Sequence, residues 1–182
     1  MNGELTQEEL KQVRKQCKEQ GIVPVINLSK EDLRLTEVKR LNMLERDLEQ
    51  DKRYSSLTEL AAYLTECPYS AINVLGSTVQ RCKIIFGLSK EEEEDFDRDE
   101  PRDLSICQFS LTKPHQPLVI ENLLEDQRTK SKYSRQDASN IRFYAGAPLI
   151  SSRGFSLGTL CVVDDNPKSL KHNQIEGLRL LS

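Results

Sequence analysis

The sequence predicts an α+β fold: one mostly antiparallel sheet, with helices packed on one face and loops and short helices covering the other. Three observations lead there. Apolar stripes of helical period fill the first third of the chain, and the period changes to two after Pro68. The strand-like stretches are then joined by short turn signals, which pair them as hairpins.

Thr6-Gln-Glu-Glu9 has the form of a capping box, in which the Thr hydroxyl takes the third amide and the Glu reaches back. The helix it opens is expected to run to about Gln20 and stop at Gly21. Pro24 forbids a helix through Ile22–Ile26, so that stretch is extended. Residues 1–30 therefore read as an accessory helical and extended segment ahead of the main domain, 31–182. Ser29-Lys-Glu-Asp32 opens a second helix with Leu33, Val38, Leu41, Leu44 and Leu48 on one stripe. Leu57, Leu60, Ala61 and Leu64 form a third helix that ends before Pro68. Such stripes pack on a core, or pair with a second copy of the chain.

Beyond Pro68, Tyr69–Leu75 reads as a strand, Gly76-Ser77 as a turn and Thr78 to Leu88 as the hairpin partner. Lys90 to Arg102, with four consecutive Glu, reads as a solvated loop. Leu104 to Leu111 fits one short helix, Pro117–Ile120 a short buried strand, and Leu123 to Tyr133 a helix or ordered loop. Ile141–Ile150 and Phe155–Asp164 are two strands joined at Arg153-Gly154, and Ser169–Ser182 is a closing helix.

Composition narrows the function. Charged residues are 30% and the hydrophobic set 37%, the balance of a soluble globular domain. A net charge of -3 gives no electrostatic case for nucleic acid or an anionic membrane. No apolar run approaches the ~20 residues a spanning helix needs, and the polar, acidic start is no secretory signal. A cytoplasmic protein is expected. Five cysteines, at 17, 67, 82, 107 and 161, with no C-x-x-C pair, read as reduced buried thiols. His115 and His172 stand far apart, so neither a metal nor a resident cofactor is expected.

Alternate side chains of a strand share a face. Arg142, Tyr144 and Gly146 then point one way, and Ile141, Phe143, Ala145 and Ala147 the other. Likewise Thr159, Cys161 and Val163 oppose Leu160 and Val162. The bulky face suits helices. The mixed face, under loop cover, suits a small polar ligand with an aromatic part. Candidate ligand contacts are Arg142, Tyr144, Thr159 and Cys161 from these strands, Ser105, Cys107, Asn122, Asp126 and Tyr133 from the covering segments, and Phe86 and Asn140 beside them. Arg142 has two readings, a ligand contact or a structural pair with a carboxylate such as Asp126.

Ser105-Ile-Cys107, Pro117-Leu-Val-Ile120, Asp126-Gln-Arg128, Ile141-Arg-Phe-Tyr-Ala-Gly-Ala-Pro-Leu149 and Leu157-Gly-Thr-Leu-Cys-Val-Val-Asp164 resemble the GAF domains of bacterial signalling proteins of the diguanylate cyclase or histidine kinase type. The resemblance covers about Leu41 to Ser182. Ile106, Gln127 and Thr129 depart from its Phe, Pro and Phe, all on the covering segments. It implies a regulatory module that binds a small ligand, dimerises through its terminal helices and drives an output domain, a diguanylate cyclase first and a histidine kinase next. The stretch Gln174–Ser182 ends without a helix stop signal, as expected if that output domain follows.

The expected ligand is a 3′,5′-cyclic nucleotide, cAMP or cGMP. Asn122 and Asn140 would read the base edge, Tyr144 or Tyr133 would stack on it, and a helix start at Leu104-Ser105 would take the phosphate. The N-K…F…D-E motif of animal phosphodiesterase GAF domains is absent after the last strands. Two alternatives stay open. One is a thiol redox enzyme of the free methionine sulfoxide reductase type, using Cys107 with Cys82 or Cys161. The other is a dimerisation module without a ligand. A bilin chromophore is disfavoured, because no His adjoins Cys107.

Overall fold

Six strands hydrogen-bond into one antiparallel sheet in the computed structural model, which describes residues 4–26, 28–135 and 139–182. Three helices come first: α1 (Gln7–Glu19), α2 (Glu31–Arg40) and α3 (Lys52–Thr65). The hairpin of β1 (Tyr69–Leu75) and β2 (Val79–Phe86) follows, then α4 (Lys90–Asp95) and β3 (Asp99–Pro101). Two 3₁₀ turns, Arg102–Leu104 and Cys107–Thr112, lead to β4 (Leu118–Ile120) and the one-turn α5 (Lys130–Tyr133). A second hairpin, β5 (Phe143–Ile150) with β6 (Ser156–Asp164), and α6 (His172–Leu181) complete the chain. The strand order is β3-β2-β1-β6-β5-β4, so β1 and β6 make the centre.

Alternation sorts the sheet into two faces as expected. Ile72, Ile84, Phe143, Leu160 and Val162 pack against Ala61 of α3 and Leu178 of α6. Leu75, Tyr144 and Cys161 face the other way, under Ile106, Phe109, Leu123 and Tyr133. One face is closed by long helices, and the other by 3₁₀ turns, the one-turn α5 and irregular chain.

α1 carries the expected capping box of Thr6 and Glu9, and Gly21 turns the chain at φ 63°. Residues 1–3 and 27 of the expected accessory segment lie outside the described residues. The remainder packs onto the domain. Val13, Cys17 and Ile22 cluster with Leu104, and the Glu4 carboxylate accepts from Ser77 and Thr78 at the β1–β2 turn.

Several elements differ from expectation. α2 ends at Arg40 rather than running to Leu48, because Asn42 adopts a left-handed conformation at φ 53°. Its stripe is consumed inside the fold: Val38 is 1% exposed and packs with Val74 and Leu157, with Leu41 and Leu44 against it. Leu33 alone of that stripe remains well exposed. The acidic run holds α4, capped by Ser89 and Glu92, and the edge strand β3, where only a loop is expected. The stretch from Leu104 to Leu111 breaks into 3₁₀ turns, and of Leu123–Tyr133 only the last turn is helical.

Candidate functional site

The polar centre of the covered face lies where β1, β5 and β6 meet the Cys107–Thr112 turn. Asn73 projects from β1 and donates from Nδ2 to Cys161 Sγ at 3.2 Å and to Cys107 Sγ at 3.7 Å. Tyr144 Oη donates to Cys107 Sγ at 3.3 Å. Asn73, Cys107, Tyr144, Thr159 and Cys161 are all buried. The Thr159 hydroxyl has no well-formed hydrogen bond among the described residues. Cys82 pairs with Asn73 across β1 and β2, which puts a third thiol on the same face.

Gly146 explains how Tyr144 reaches Cys107. The phenol lies back along its own strand, and a Cβ on Gly146 would sit 2.3 Å from Tyr144 Oη. Any side chain there would push the ring away.

The two thiols are unequal. A hydrogen bond from the Cys161 thiol holds Cys107 below the ordinary thiol range despite its burial. The same bond, together with burial, pushes Cys161 well above it. Burial pushes Tyr144 well above the usual phenol value, and Cys82 up to about 12. Cys107 is therefore the thiol of this set best placed to carry negative charge, and it accepts from both Asn73 and Tyr144.

The sequence-selected residues divide into two groups. Cys107, Tyr144, Thr159 and Cys161 come together, and Tyr133 packs in the same apolar layer. The others stand apart. Phe86 pairs with Ser70, whose hydroxyl donates to Thr58 of α3, so it belongs to the helical face. Its ring meets Tyr63 edge-on at 6.0 Å between centroids. Ser105 is buried, but its hydroxyl donates to Arg102 O and accepts from Gln108 N. The expected phosphate-binding helix start is thus a 3₁₀ turn closed by its own chain.

Arg142 precedes the first residue of β5, and its guanidinium donates to the Ser139 and Ile141 carbonyls. It does not pair with Asp126, which holds Arg128 instead at 2.6 Å. That pairing keeps the Asp126 carboxyl below its usual range. Asn122 accepts from Leu124 N in a local turn, and Asn140 is exposed. Sequence reasoning missed Asn73. Its signal was present, a single carboxamide inside the apolar run of β1. A buried amide needs partners, and it finds them in the two thiols.

Chemically, the cluster offers two buried thiols bridged by the Asn73 amide, and a phenol. Its cover is irregular chain fixed by apolar contacts of Ile106, Phe109, Leu111 and Leu123, with Arg128 over the Phe109 ring. Among the described residues, no group of three or more His, Cys, Asp or Glu stands together as metal ligands would. No helix there is long and apolar enough to cross a membrane.

Comparison with known proteins bears on the fold. No protein-family model matches the sequence. A cyclic di-GMP phosphodiesterase of Pseudomonas aeruginosa is 29% identical over 131 residues, 72% of this chain and 21% of the relative. The chain thus spans about a fifth of that relative's length. Among solved structures, the GAF domain/HD domain protein of Geobacter sulfurreducens matches with TM-score 0.53 at 16% identity, over 73% of this chain and 86% of that one. The blue-light-absorbing form of the PixJ GAF domain of Thermosynechococcus elongatus matches at 0.56 and 10%, over 86% and 84%. A type II free methionine-R-sulfoxide reductase of Thermoplasma acidophilum matches at 0.53 and 10%, over 72% and 89%. The chain has the fold of GAF domains.

Proposed function

We propose that this GAF-fold chain is a regulatory sensor domain of a signalling protein, taking a small ligand between the β5–β6 face and its cover. The carrying observation is the asymmetry of the sheet. Long helices close one face, while 3₁₀ turns, the one-turn α5 and irregular chain close the other, over a buried polar cluster. Covering segments of this kind open at lower cost than packed helices and are where ligand responses arise.

The ligand proposed first is a 3′,5′-cyclic nucleotide, cAMP or cGMP. Its base would stack on Tyr144 or Tyr133 once the 106–111 segment moves aside. Ligand state would pass to an output domain of cyclic di-GMP metabolism, of the diguanylate cyclase type. The likeness to a cyclic di-GMP phosphodiesterase supports that setting and offers phosphodiesterase as the other output. A homodimer is part of the reading. Leu60 and Tyr63 of α3 and Leu180 of α6 are 52%, 67% and 74% exposed on the helical side, a surface suited to a second copy.

Thermal unfolding and calorimetry with cAMP and cGMP test the ligand. At a hundred times its dissociation constant, a specific ligand adds ~2.7 kcal/mol of stability. Tyr144→Leu should abolish the gain. No heat and no shift at millimolar nucleotide would remove the cyclic nucleotide from the proposal.

One observation favours a second reading, that of a thiol redox enzyme: Asn73 Nδ2 donates to the sulfurs of both Cys107 and Cys161, which brings two buried thiols together. A sulfoxide substrate would lose its oxygen as water while the two thiols close a disulfide. Steady turnover of free methionine sulfoxide with a dithiol reductant, lost in Cys107→Ser, would support it. Absence of turnover by the wild type would sink it.

A further inference from the structure

A separate cleft of about 440 Å³ opens at the N-terminal end of β6, formed by the start of α2, the 111–115 turn and the β5–β6 turn. Its volume is that of small-ligand clefts.

One lining residue carries an unspent donor just beneath the surface of the cleft. Ser156 lines the cleft and is 3% exposed, and its hydroxyl has no partner among the described residues. Buried hydroxyls are rarely left so. Beside it, Arg34 is immobilised by Glu31 and by the carbonyls of Leu75, Gly76 and Ser156. A rigid, buried guanidinium thus underlies the cleft.

The charge of the walls points to the ligand. Lys30, Arg34 and Arg153 line the cleft against one carboxylate, Glu31, which is itself held by Arg34 and Arg102. Lys30 makes no ion pair among the described residues, and Arg153 reaches only Glu37, at 3.5 Å. Lys30 is therefore available, and Arg153, 62% exposed at its side chain, is held by a single 3.5 Å contact that leaves its other nitrogens open to a charge partner. The ten-residue α2 begins here, and no side chain caps it. Its first amides add partial positive charge on the same side. Leu28, Leu111 and Phe155 supply an apolar wall.

We propose that this cleft binds a small organic oxyanion, a carboxylate or phosphate ester on an apolar body. Lys30 and Arg153 meet the anionic group, the Ser156 hydroxyl donates from just beneath the surface, and Phe155 and Leu111 take the apolar part. The cleft is distinct from the thiol cluster, so this test and the cyclic nucleotide test read different residues.

The experiment is an amide NMR titration of the protein with phenyl phosphate, benzoate, inorganic phosphate and phenol. Saturable shifts at Lys30, Glu31, Gly154 and Ser156 are expected with one or both ring anions, and their relative affinity separates phosphate from carboxylate. Lys30→Ala and Arg153→Ala each remove an exposed cation without touching the core. Each should weaken binding about tenfold, the worth of one charge-assisted hydrogen bond. Ser156→Ala should weaken it further. No saturable shift at millimolar concentration would overturn the proposal. So would undiminished binding by the Lys30→Ala, Arg153→Ala double variant, or binding of phenol as tight as that of phenyl phosphate.

Discussion

Single residues set the geometry of both sites. Gly146→Ala should be destabilising, because the new methyl meets Tyr144 Oη at 2.3 Å and the ring carbon Cζ at 2.8 Å. Overpacking of this kind costs about 1–3 kcal/mol. Urea unfolding of Gly146→Ala, of Tyr144→Leu and of the double variant forms a cycle. The glycine substitution should cost little once the ring is gone. Additive costs would show that the clash is not with Tyr144. Glu31 is the counterpart on the other side of the molecule. Burial pushes its carboxyl up, but bonds from Arg34 and Arg102 more than reverse this and hold it below 4.5. A folded-state pKa below the unfolded value stabilises above that unfolded value, and the gain is lost as pH falls through the folded one. Glu4 and Asp164 shift in the same direction. Stability should therefore be level near neutral pH and fall as acid passes below about 4.5. Glu31→Gln should cost about 3 kcal/mol at neutral pH by leaving two buried guanidinium groups without their carboxylate. The same variant should show a shallower acid loss in pH-dependent urea titrations. A wild-type profile still flat at pH 3 would count against this account.

At the scale of elements, α1 is fastened by few contacts. Cys17 Sγ donates to Asp103 O at 3.4 Å, Arg14 reaches Asp103 at 3.4 Å, and Val13 closes a small apolar cluster. Val13→Asp should release α1 alone, since detachment costs less than burying a bare carboxylate. Hydrogen exchange should then accelerate over residues 7–19 and stay slow in β1 and β6. Acceleration throughout would show that α1 belongs to the cooperative core. The ease with which elements could be read from the sequence follows the same division. β1, β2, β5 and β6 were legible because each must put one set of side chains against helices. Alternation records that demand in Phe143, Ala145, Leu160 and Val162. β3 was hidden because Asp99-Glu100-Pro101 is an edge strand, where charge and proline protect an open edge. The cover from Leu104 to Leu111 was misread as one helix because its shape comes from long-range bonds, such as Gln108 taking the amide of Val25 and bonding to Asp103 O. The site was half legible for the same reason. Tyr144, Thr159 and Cys161 follow from strand parity, whereas Arg142 lies one residue before β5 begins and spends its charge on carbonyls.

At the scale of the whole molecule, the exposed apolar side chains of α3 and α6 bear on assembly. If α3 and α6 carry a dimer, the Leu60→Glu, Leu180→Glu double variant should sediment as a monomer with its melting temperature little changed, since both side chains are exposed. A wild type that is monomeric at high concentration would remove the dimer from the proposal. The sheet order has a different kind of consequence, for time rather than for place. The two central strands come from opposite ends of the domain, with Asn73 and Cys161 88 residues apart in sequence. Each hairpin can close early as a local event, but the seam between β1 and β6 waits for nearly the whole chain. Loop-closure entropy must be met before that pairing repays it, so folding is expected in milliseconds to seconds rather than microseconds. On a ribosome, where synthesis runs at about 5–20 residues per second, the first hairpin stands with an open edge for several seconds. At the start of that interval the three N-terminal helices, already made, are on hand to shield it.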